Sequence, residues 1–164
     1  MKLITHPNLL LETELKDVNL EDPGFDPKEL KKEMIEFMLA SGGIGLSANQ
    51  VGLDYKIFVM GDSLENSTMC INPTVIQYTK DTQDEPEGCL SFPNIFVRIK
   101  RPKEILAKFY DENLKECVVK ISGYSAKCYL HELDHVLGIT MKDRSSSLKW
   151  NMALKKAQKL TKNI

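Results

Sequence analysis

The pattern of apolar and polar positions divides the chain into a helical start, a strand-rich centre and a helical end. Four apolar residues near the start follow helical spacing: Leu30, Met34, Phe37 and Met38. This spacing predicts a helix over residues 27–39, in which Pro27 takes the first helical position. Asp26 is placed to cap the N-terminus of this helix, and Gly42 is placed to end it.

Over residues 55–121 the pattern changes to short runs of β-branched and aromatic residues, and these runs are separated by turn residues. The runs cover residues 57–59, 70–71, 74–76, 95–97, 105–107 and 117–119. Helical spacing returns over residues 123–138 and again from about Ser147 to the end of the chain. The order helix, strands, helix predicts one α+β domain over residues 1–164, with N- and C-terminal helices and a strand-rich centre.

The helix predicted over residues 123–138 carries the strongest chemical signal, the sequence HELDH at residues 131–135. Two histidines four residues apart lie one turn apart on the same helix face, so both imidazoles can reach one metal ion. Glu132 flanks that face, where it can exchange a proton with water on the metal. The alternative, for either histidine alone, is a core residue whose ring nitrogens are hydrogen-bonded.

Two apolar stripes run along this helix on opposite sides. One consists of Ala126, Leu130, Leu133 and Leu137, and the other of Tyr124, Cys128, His131 and His135. A helix with two such stripes is expected to be buried on both faces. Buried histidines need partners for their ring nitrogens, which a shared metal supplies. The pattern therefore predicts that the strand-rich centre packs around a buried metal-binding helix.

A catalytic metal site of this type needs a third protein ligand, and the cysteines are the candidates. Cys128 lies about 10 Å along the helix axis from the second histidine, too far for these side chains to converge on one ion. Cys70 and Cys117 fall in apolar, strand-like runs, where a core role is more common. Cys89 lies in residues 85–93, where glycine and proline predict an irregular backbone that can aim a side chain at a helix. A set of Cys89 and two histidines suits Fe(II), Zn(II), Ni(II) or Co(II).

The glycine-rich segment over residues 43–48 matches a relaxed dinucleotide-binding fingerprint. That motif follows a strand and opens a helix, whereas here a predicted helix precedes the glycines. The other use of glycine is close approach of the backbone to a ligand, and Gln50 offers a side-chain amide as hydrogen-bond donor beside it.

Composition narrows the possible partners. The chain has 164 residues and 22 Lys plus Arg against 23 Asp plus Glu, a formal charge of −1. Without a strong positive field it is not expected to be a dedicated DNA binder. The longest uncharged stretch, residues 37–53, contains too many glycine and polar residues for a membrane helix, so no membrane partner is expected. The first seven residues lack a secretory or transit pattern, which predicts a cytoplasmic protein.

The C-terminal segment is the one strongly basic part of the chain. Residues 142–164 contain seven Lys or Arg and one acidic residue. One helical face is apolar: Trp150, Ala153, Leu154, Ala157, Leu160 and Ile164. Lys155, Lys159 and Lys162 face away from it. Two interpretations remain open, namely a solvated face on a docked helix and a surface that contacts RNA.

Three segments together resemble a known family. Residues 43–50 (GIGLSANQ), 87–91 (EGCLS) and 131–135 (HELDH) follow the order and spacing of the three signature motifs of peptide deformylases. Residues 5–7 (THP) and the basic helical end are also similar to that family, so the resemblance covers nearly the whole chain. It implies a hydrolase of protein biosynthesis that removes the formyl group from the N-terminal formyl-methionine of newly made polypeptides and releases formate. It also implies Fe(II) as the native metal, which Zn(II), Ni(II) or Co(II) can replace.

The resemblance assigns a role to each residue of the metal site. Cys89, His131 and His135 hold the metal, and Glu132 takes a proton from metal-bound water and passes one to the departing amine. The oxyanion is met by the metal, by the Leu90 backbone N–H and by the Gln50 side-chain amide.

The resemblance also assigns the substrate contacts. The Gly45 backbone pairs with the formyl-methionyl nascent peptide. An apolar pocket for the methionine side chain is lined by Ile44, Tyr124 and Cys128. The origin of the substrate suggests that the basic C-terminal helix contacts ribosomal RNA.

Two residues depart from the family pattern. Ser47 stands where the family usually has Ala, and Leu130 stands where Gln commonly precedes the first motif histidine. The second change removes a polar group beside the site, so we expect a hydrogen bond there to be missing or to come from another residue. The N-terminal sequence fits a bacterial source, a bacteriophage whose product works in the host cytoplasm, or an organellar protein trimmed of its transit segment.

Two other functions compete with this one. An HExxH zinc peptidase usually draws its third ligand from downstream, and only a short sequence follows His135. A ribosome-associated binding module could keep a structural metal and perform no chemistry. Glu132 and Gln50 argue against the binding module, because a structural site needs neither.

Overall fold

The computed structural model describes residues 1–163 and shows the predicted α+β architecture. Its helices are α1 (Pro27–Ala40), α2 (Gly123–Val136), α3 (Met141–Arg144) and α4 (Ser147–Lys162). Its strands are β1 (Gly45–Ser47), β2 (Ile57–Gly61), β3 (Ser67–Tyr78), β4 (Thr82–Cys89), β5 (Phe92–Pro102), β6 (Glu104–Tyr110) and β7 (Glu116–Ser122). No helix within residues 1–163 is long and apolar enough to cross a bilayer.

Helix α1 begins and ends where its sequence predicts. The Asp26 carboxylate accepts the backbone N–H groups of Lys28 at 3.0 Å and Glu29 at 3.3 Å, and so satisfies two donors at the open end of the helix. Gly42, just past the last turn, has φ +75°, a conformation that favours glycine. The apolar face of α1 buries Met34, Ile35 and Met38 in the main core.

The strands form two antiparallel sheets. One has five strands in the order β1-β2-β3-β6-β7, and the other consists of β4 and β5. The predicted irregular backbone over residues 85–93 is wrong for most of that segment, because β4 continues to Cys89. Among residues 1–163, β4 pairs only with β5, so its other edge has no partner strand that needs an N–H donor. Pro86, which lacks a backbone N–H, is therefore tolerated in this strand. The irregularity is confined to a shift of register between Gly88 and Cys89.

Helix α2 lies between the two sheets. It contacts β1, β2, β6 and β7 of the large sheet and β5 of the small one. Tyr129 at its centre is fully buried, and its ring meets Phe58 edge to face at 5.0 Å. The prediction that both faces of α2 are buried is therefore confirmed for the middle of the helix. It is wrong at the ends, where Tyr124 is 62% exposed and Leu137 is 38% exposed.

Helix α4 closes a second, smaller core on β5. Trp150, Ala153 and Ala157 are buried there, and the Trp150 ring lies edge to face on Phe92 at 5.8 Å. The predicted apolar face is wrong at Leu160, which is 48% exposed. Ile164, which was placed on the same face, lies outside the described residues.

Replacing Trp150 by Ala should lower the free energy of unfolding by about 3–5 kcal/mol, because it leaves a cavity between α4 and β5. Urea titration of the purified variant measures this change. Met152→Ala is the matched control on the exposed side of the same helix and should stay within about 0.5 kcal/mol of the parent. Equal losses in the two variants would contradict the docking of α4 through Trp150.

Candidate metal centre and active site

The end of β4 and the middle of α2 bring three ligand atoms to one point. Sγ of Cys89 lies 3.2 Å from Nε2 of His135, which lies 3.1 Å from Nε2 of His131. These three atoms all lie within 4.8 Å of one another. The three residues predicted as metal ligands are thus neighbours in space, although Cys89 is more than forty residues from the histidines along the chain.

The donor atoms fit a divalent metal ion. His131 Nδ1 lies 2.9 Å from the Glu87 carboxylate, which can only accept, so in the neutral ring Nε2 presents its lone pair to the other ligands. Burial lowers the pKa of His135 well below its usual value, which keeps that ring neutral. Burial also lowers the pKa of His131, but its hydrogen bonds to Cys89 and Glu87 outweigh this and raise the pKa well above its usual value, so Nε2 releases a proton when it binds a metal. Ligands on a tetrahedral ion, bonded at about 2.0 Å for nitrogen and about 2.3 Å for sulfur, lie roughly 3.3–3.6 Å apart, close to the spacing found here.

A buried chain of charges holds His131 in place. Arg101 donates from Nε and Nη2 to Glu87 at 2.9 Å each, and from Nη1 to Asp134 at 2.7 Å. Arg144 adds two bonds to Asp134, from Nε to the oxygen that Arg101 binds, at 3.1 Å, and from Nη2 to the other oxygen, at 2.7 Å. Burial raises the pKa of Glu87, but hydrogen bonds from Arg101 and His131 outweigh it and hold the pKa at about 2. Glu87 is therefore ionised near neutral pH and fixes the orientation of the His131 ring.

Glu132 has the opposite environment. Its side chain is buried in the wall of the site, and Oε2 finds no hydrogen-bond partner among residues 1–163. Burial raises the pKa of Glu132 to about 7, although the nearby His131 lowers it. A carboxyl group that titrates near neutral pH can both accept and donate a proton. A Cβ atom at position 45 would overlap this carboxylate, so the chain needs Gly45 beside it.

Gln50 sits in a short 3₁₀ turn that follows β1. Its Oε1 accepts the Ser47 backbone N–H at 2.9 Å, and its Nε2 lies 3.6 Å from Cys89 Sγ. The glycine-rich segment before it runs from the end of α1 into β1, which rules out the strand-to-helix loop of a dinucleotide site.

One cavity of about 520 Å³ unites most of the predicted site residues. Its lining includes Ile44, Gly45, Gln50, Cys89, Leu90, Tyr124, Cys128, His131 and Glu132. His135 is buried beneath it. The Ile44 carbonyl accepts the Gly61 N–H at 2.9 Å. Because bonding groups alternate along an antiparallel strand, the Gly45 N–H and C=O face away from β2.

The other cysteines do not join the ligand set. Cys128 Sγ lies 3.7 Å from the Ile44 carbonyl, and burial raises the pKa of its thiol well above the usual value. Cys70 is in the main core, and Cys117 is half-buried on β7. None of the four cysteines forms a disulfide within residues 1–163.

The structure shows the contacts of Leu130 and Ser47, the two residues that depart from the family pattern. Leu130 packs in the main core, so no polar group beside the site is missing there. His131 Nδ1 donates instead to the Glu87 carboxylate. Ser47 is fully buried, and its hydroxyl lies 3.1 Å from Gln50 Oε1.

Sequence reasoning missed the supporting residues Glu87, Arg101, Asp134, Arg144 and Ser91. A signal did exist on β5, where Arg101 continues the alternating buried positions of Ile95, Val97 and Ile99. A charged residue at a buried strand position needs a partner of opposite charge.

An α+β domain in which an HExxH helix and a cysteine gather ligand atoms at the base of a cavity is the arrangement of a metal-dependent hydrolase. Comparison with known proteins gives the family. Residues 1–151 match the sequence profile described as "Polypeptide deformylase". The chain therefore belongs to the polypeptide deformylase family, and it is an enzyme of that metal-dependent kind.

Individual relatives agree with this assignment over most of their length. The chain is 40% identical to a peptide deformylase of Wolbachia pipientis wMel over 148 residues, 83% of each chain. It is 36% identical to that of Borreliella burgdorferi over 145 residues, 87% of this chain and 86% of the other. A crystal structure of a Synechococcus elongatus peptide deformylase in complex with actinonin superposes with a TM-score of 0.86 at 29% identity, over 96% of this chain and 86% of the other.

The raised pKa of Glu132 predicts a pH dependence for the metal-free protein. The folded state holds a proton up to about pH 7, whereas the unfolded carboxyl loses it near its usual 4.5. This contribution to stability is complete below that lower value and is lost as the pH rises through about 7. Urea unfolding of the chelated protein at several pH values should show the loss, and Glu132→Gln should lack it. Parallel pH profiles for parent and variant would contradict the assignment.

Proposed function

We propose that this protein removes the formyl group from the N-terminal formyl-methionine of newly synthesised polypeptides and releases formate. The observation that carries the proposal is the meeting of Cys89, His131 and His135 beside the unpaired Glu132 carboxylate, in a cavity large enough for a peptide end. Membership of the deformylase family supports the same reaction.

We assign Cys89, His131 and His135 as the metal ligands, with Fe(II) as the native ion and Zn(II), Ni(II) or Co(II) as substitutes. A bound divalent ion supplies Lewis-acid polarisation of the formyl carbonyl and lowers the pKa of water. The residues around it orient both reactants.

Glu132 is the proton carrier in this proposal. Its carboxylate takes a proton from the attacking water as the new C–O bond forms, and returns it to the amine nitrogen as the C–N bond breaks. Its buried position beside Gly45 keeps it within the cavity, and a pKa of about 7 suits both halves of the transfer.

Gln50 and Leu90 meet the formyl oxygen. Both residues line the cavity: Gln50 has its Nε2 3.6 Å from Cys89 Sγ, and Leu90 follows Cys89 directly in the chain. Donors fixed in place before the reaction stabilise the negative charge that develops on this oxygen.

The rest of the cavity holds the peptide. The Gly45 backbone pairs with the substrate main chain, because its N–H and C=O face away from β2. We assign the methionine side chain to the apolar wall formed by Ile44, Tyr124 and Cys128. Tyr124 and Ile44 are exposed, whereas Cys128 is buried.

The proposed substrate places the reaction near ribosomes in the cytoplasm. In α4, Lys155, Lys159 and Lys162 are exposed on the side opposite Trp150, so they are available to a polyanion. We propose that this basic face contacts ribosomal RNA.

Two variants separate metal binding from catalysis. Glu132→Gln should keep the metal and lower kcat for formate release by roughly 10²- to 10⁴-fold, because it removes the proton carrier. Cys89→Ala should lose the metal, because it removes one of three ligands. Formate release from a formyl-Met peptide and the metal content are measured on the same anaerobically purified samples.

Cys117→Ala is the matched control, a cysteine remote from the site, and should leave turnover and metal content unchanged. Comparable turnover in Glu132→Gln and the parent would exclude the proposed mechanism. Cleavage of an unformylated Met peptide would indicate a peptidase instead. Bound metal without formate release would indicate a binding module.

Reversing the charge of Lys155, Lys159 and Lys162 to Glu should weaken co-sedimentation with ribosomes at low salt by about tenfold or more and flatten its dependence on salt. Formate release from a short peptide should not change, since these residues lie away from the cavity. Reversal of the exposed Lys28, Lys32 and Lys80 provides the control. Equal ribosome binding in both triple variants and the parent would refute the contact.

A further inference from the structure

Ser91 joins three segments of the chain beneath the cavity. It lies in the turn between β4 and β5, and its side chain is fully buried. Its hydroxyl donates to the Ile4 carbonyl at 2.7 Å and accepts from Gln50 Nε2 at 3.0 Å. A buried hydroxyl with two partners from distant segments is held in one orientation.

The single proton of Ser91 fixes the direction of these bonds. The Ile4 carbonyl can only accept, so it takes the hydroxyl proton, and the Ser91 oxygen is left as an acceptor for Gln50. Two further bonds hold the N-terminal segment in place, from the Ile4 N–H to the Gln50 carbonyl at 2.8 Å and from the His6 N–H to the Ser91 carbonyl at 2.9 Å. The first residues of the chain thus hydrogen-bond to both Gln50 and Ser91.

The orientation of the Gln50 side-chain oxygen is also fixed by its partner. The Ser47 backbone N–H can only donate, and it lies 2.9 Å from Gln50 Oε1, so the amide oxygen must face β1. Nε2 then has two hydrogens, one of which goes to Ser91. The second donates to Cys89 Sγ at 3.6 Å, which places this N–H beside the metal ligand at the edge of the cavity.

We propose that Ser91 is a positioning residue for the reaction, because it holds the Gln50 amide with its second N–H beside Cys89, at the edge of the cavity where the reacting carbonyl oxygen would bind. This inference rests on the proposed function of the site. Without the Ser91 hydroxyl, the Gln50 side chain keeps its bond to Ser47 but can rotate its N–H away, and the donor is no longer fixed before the reaction. The site still binds metal, since Ser91 does not belong to the ligand set.

A double-mutant cycle tests whether Ser91 acts through Gln50. Ser91→Ala should lower kcat for formate release by about 10- to 100-fold, with KM within about threefold and metal content unchanged. Gln50→Ala should lower kcat at least as much, and the double variant should be no slower than Gln50→Ala alone. Independent, multiplying losses in the double variant, or an unchanged kcat in Ser91→Ala, would overturn the proposal.

A second measurement does not depend on activity. In ¹⁵N–¹H spectra, the Gln50 side-chain amide pair is assigned by its disappearance in Gln50→Ala. Its chemical shifts should move toward those of a solvent-exposed glutamine in Ser91→Ala and stay in place in Ser67→Ala, a buried serine remote from the site. Unchanged Gln50 resonances in Ser91→Ala would overturn the positioning role. If the parent releases no formate, the proposed function fails while these spectra still decide whether Ser91 holds Gln50.

Discussion

The active-site geometry depends on one buried guanidinium group, that of Arg101. Its side chain binds Glu87 on β4 and Asp134 on α2, so it ties the small sheet to the helix that carries the histidines. Removing one partner of a buried ion pair typically costs about 3–5 kcal/mol, since the other charge is left without compensation. Cys89 is two residues from Glu87, and this tie therefore sets the distance between its sulfur and the two imidazoles.

The hydrogen bonds of Arg101 also give two neighbouring carboxyl groups, Glu87 and Glu132, different pKa values. Glu87 receives the Arg101 fork and the His131 ring, and its pKa is held at about 2. Glu132 points into the cavity from the same helix as Asp134 but receives no such donor within residues 1–163, and burial raises its pKa to about 7. Two carboxyl groups whose surroundings separate their pKa values are suited to different tasks, which in the proposed mechanism are a fixed support and a proton carrier.

Local chemistry made much of this fold predictable. Asp26, Pro27 and Gly42 define the limits of α1, because capping depends on residues close together in sequence. The spacing of His131 and His135 is equally local, and Cys89 followed from eliminating the other cysteines. Strand β4 was missed because its proline, glycine and acidic residues are poor strand formers, and pairing with β5 holds it instead.

Supporting contacts such as the one between Arg101 and Glu87 depend on the register of that hairpin and on how α2 lies against it, which no local pattern reports. Once these contacts are known, the charges around the site can be compared with the proposed metal. Arg101 and Arg144 pair with Glu87 and Asp134. The Cys89 thiol and the Glu132 carboxyl have no such cationic partner within residues 1–163, and their ionised forms together carry two negative charges. A divalent cation would offset this charge, which agrees with the divalent metal proposed from the sulfur and imidazole ligands.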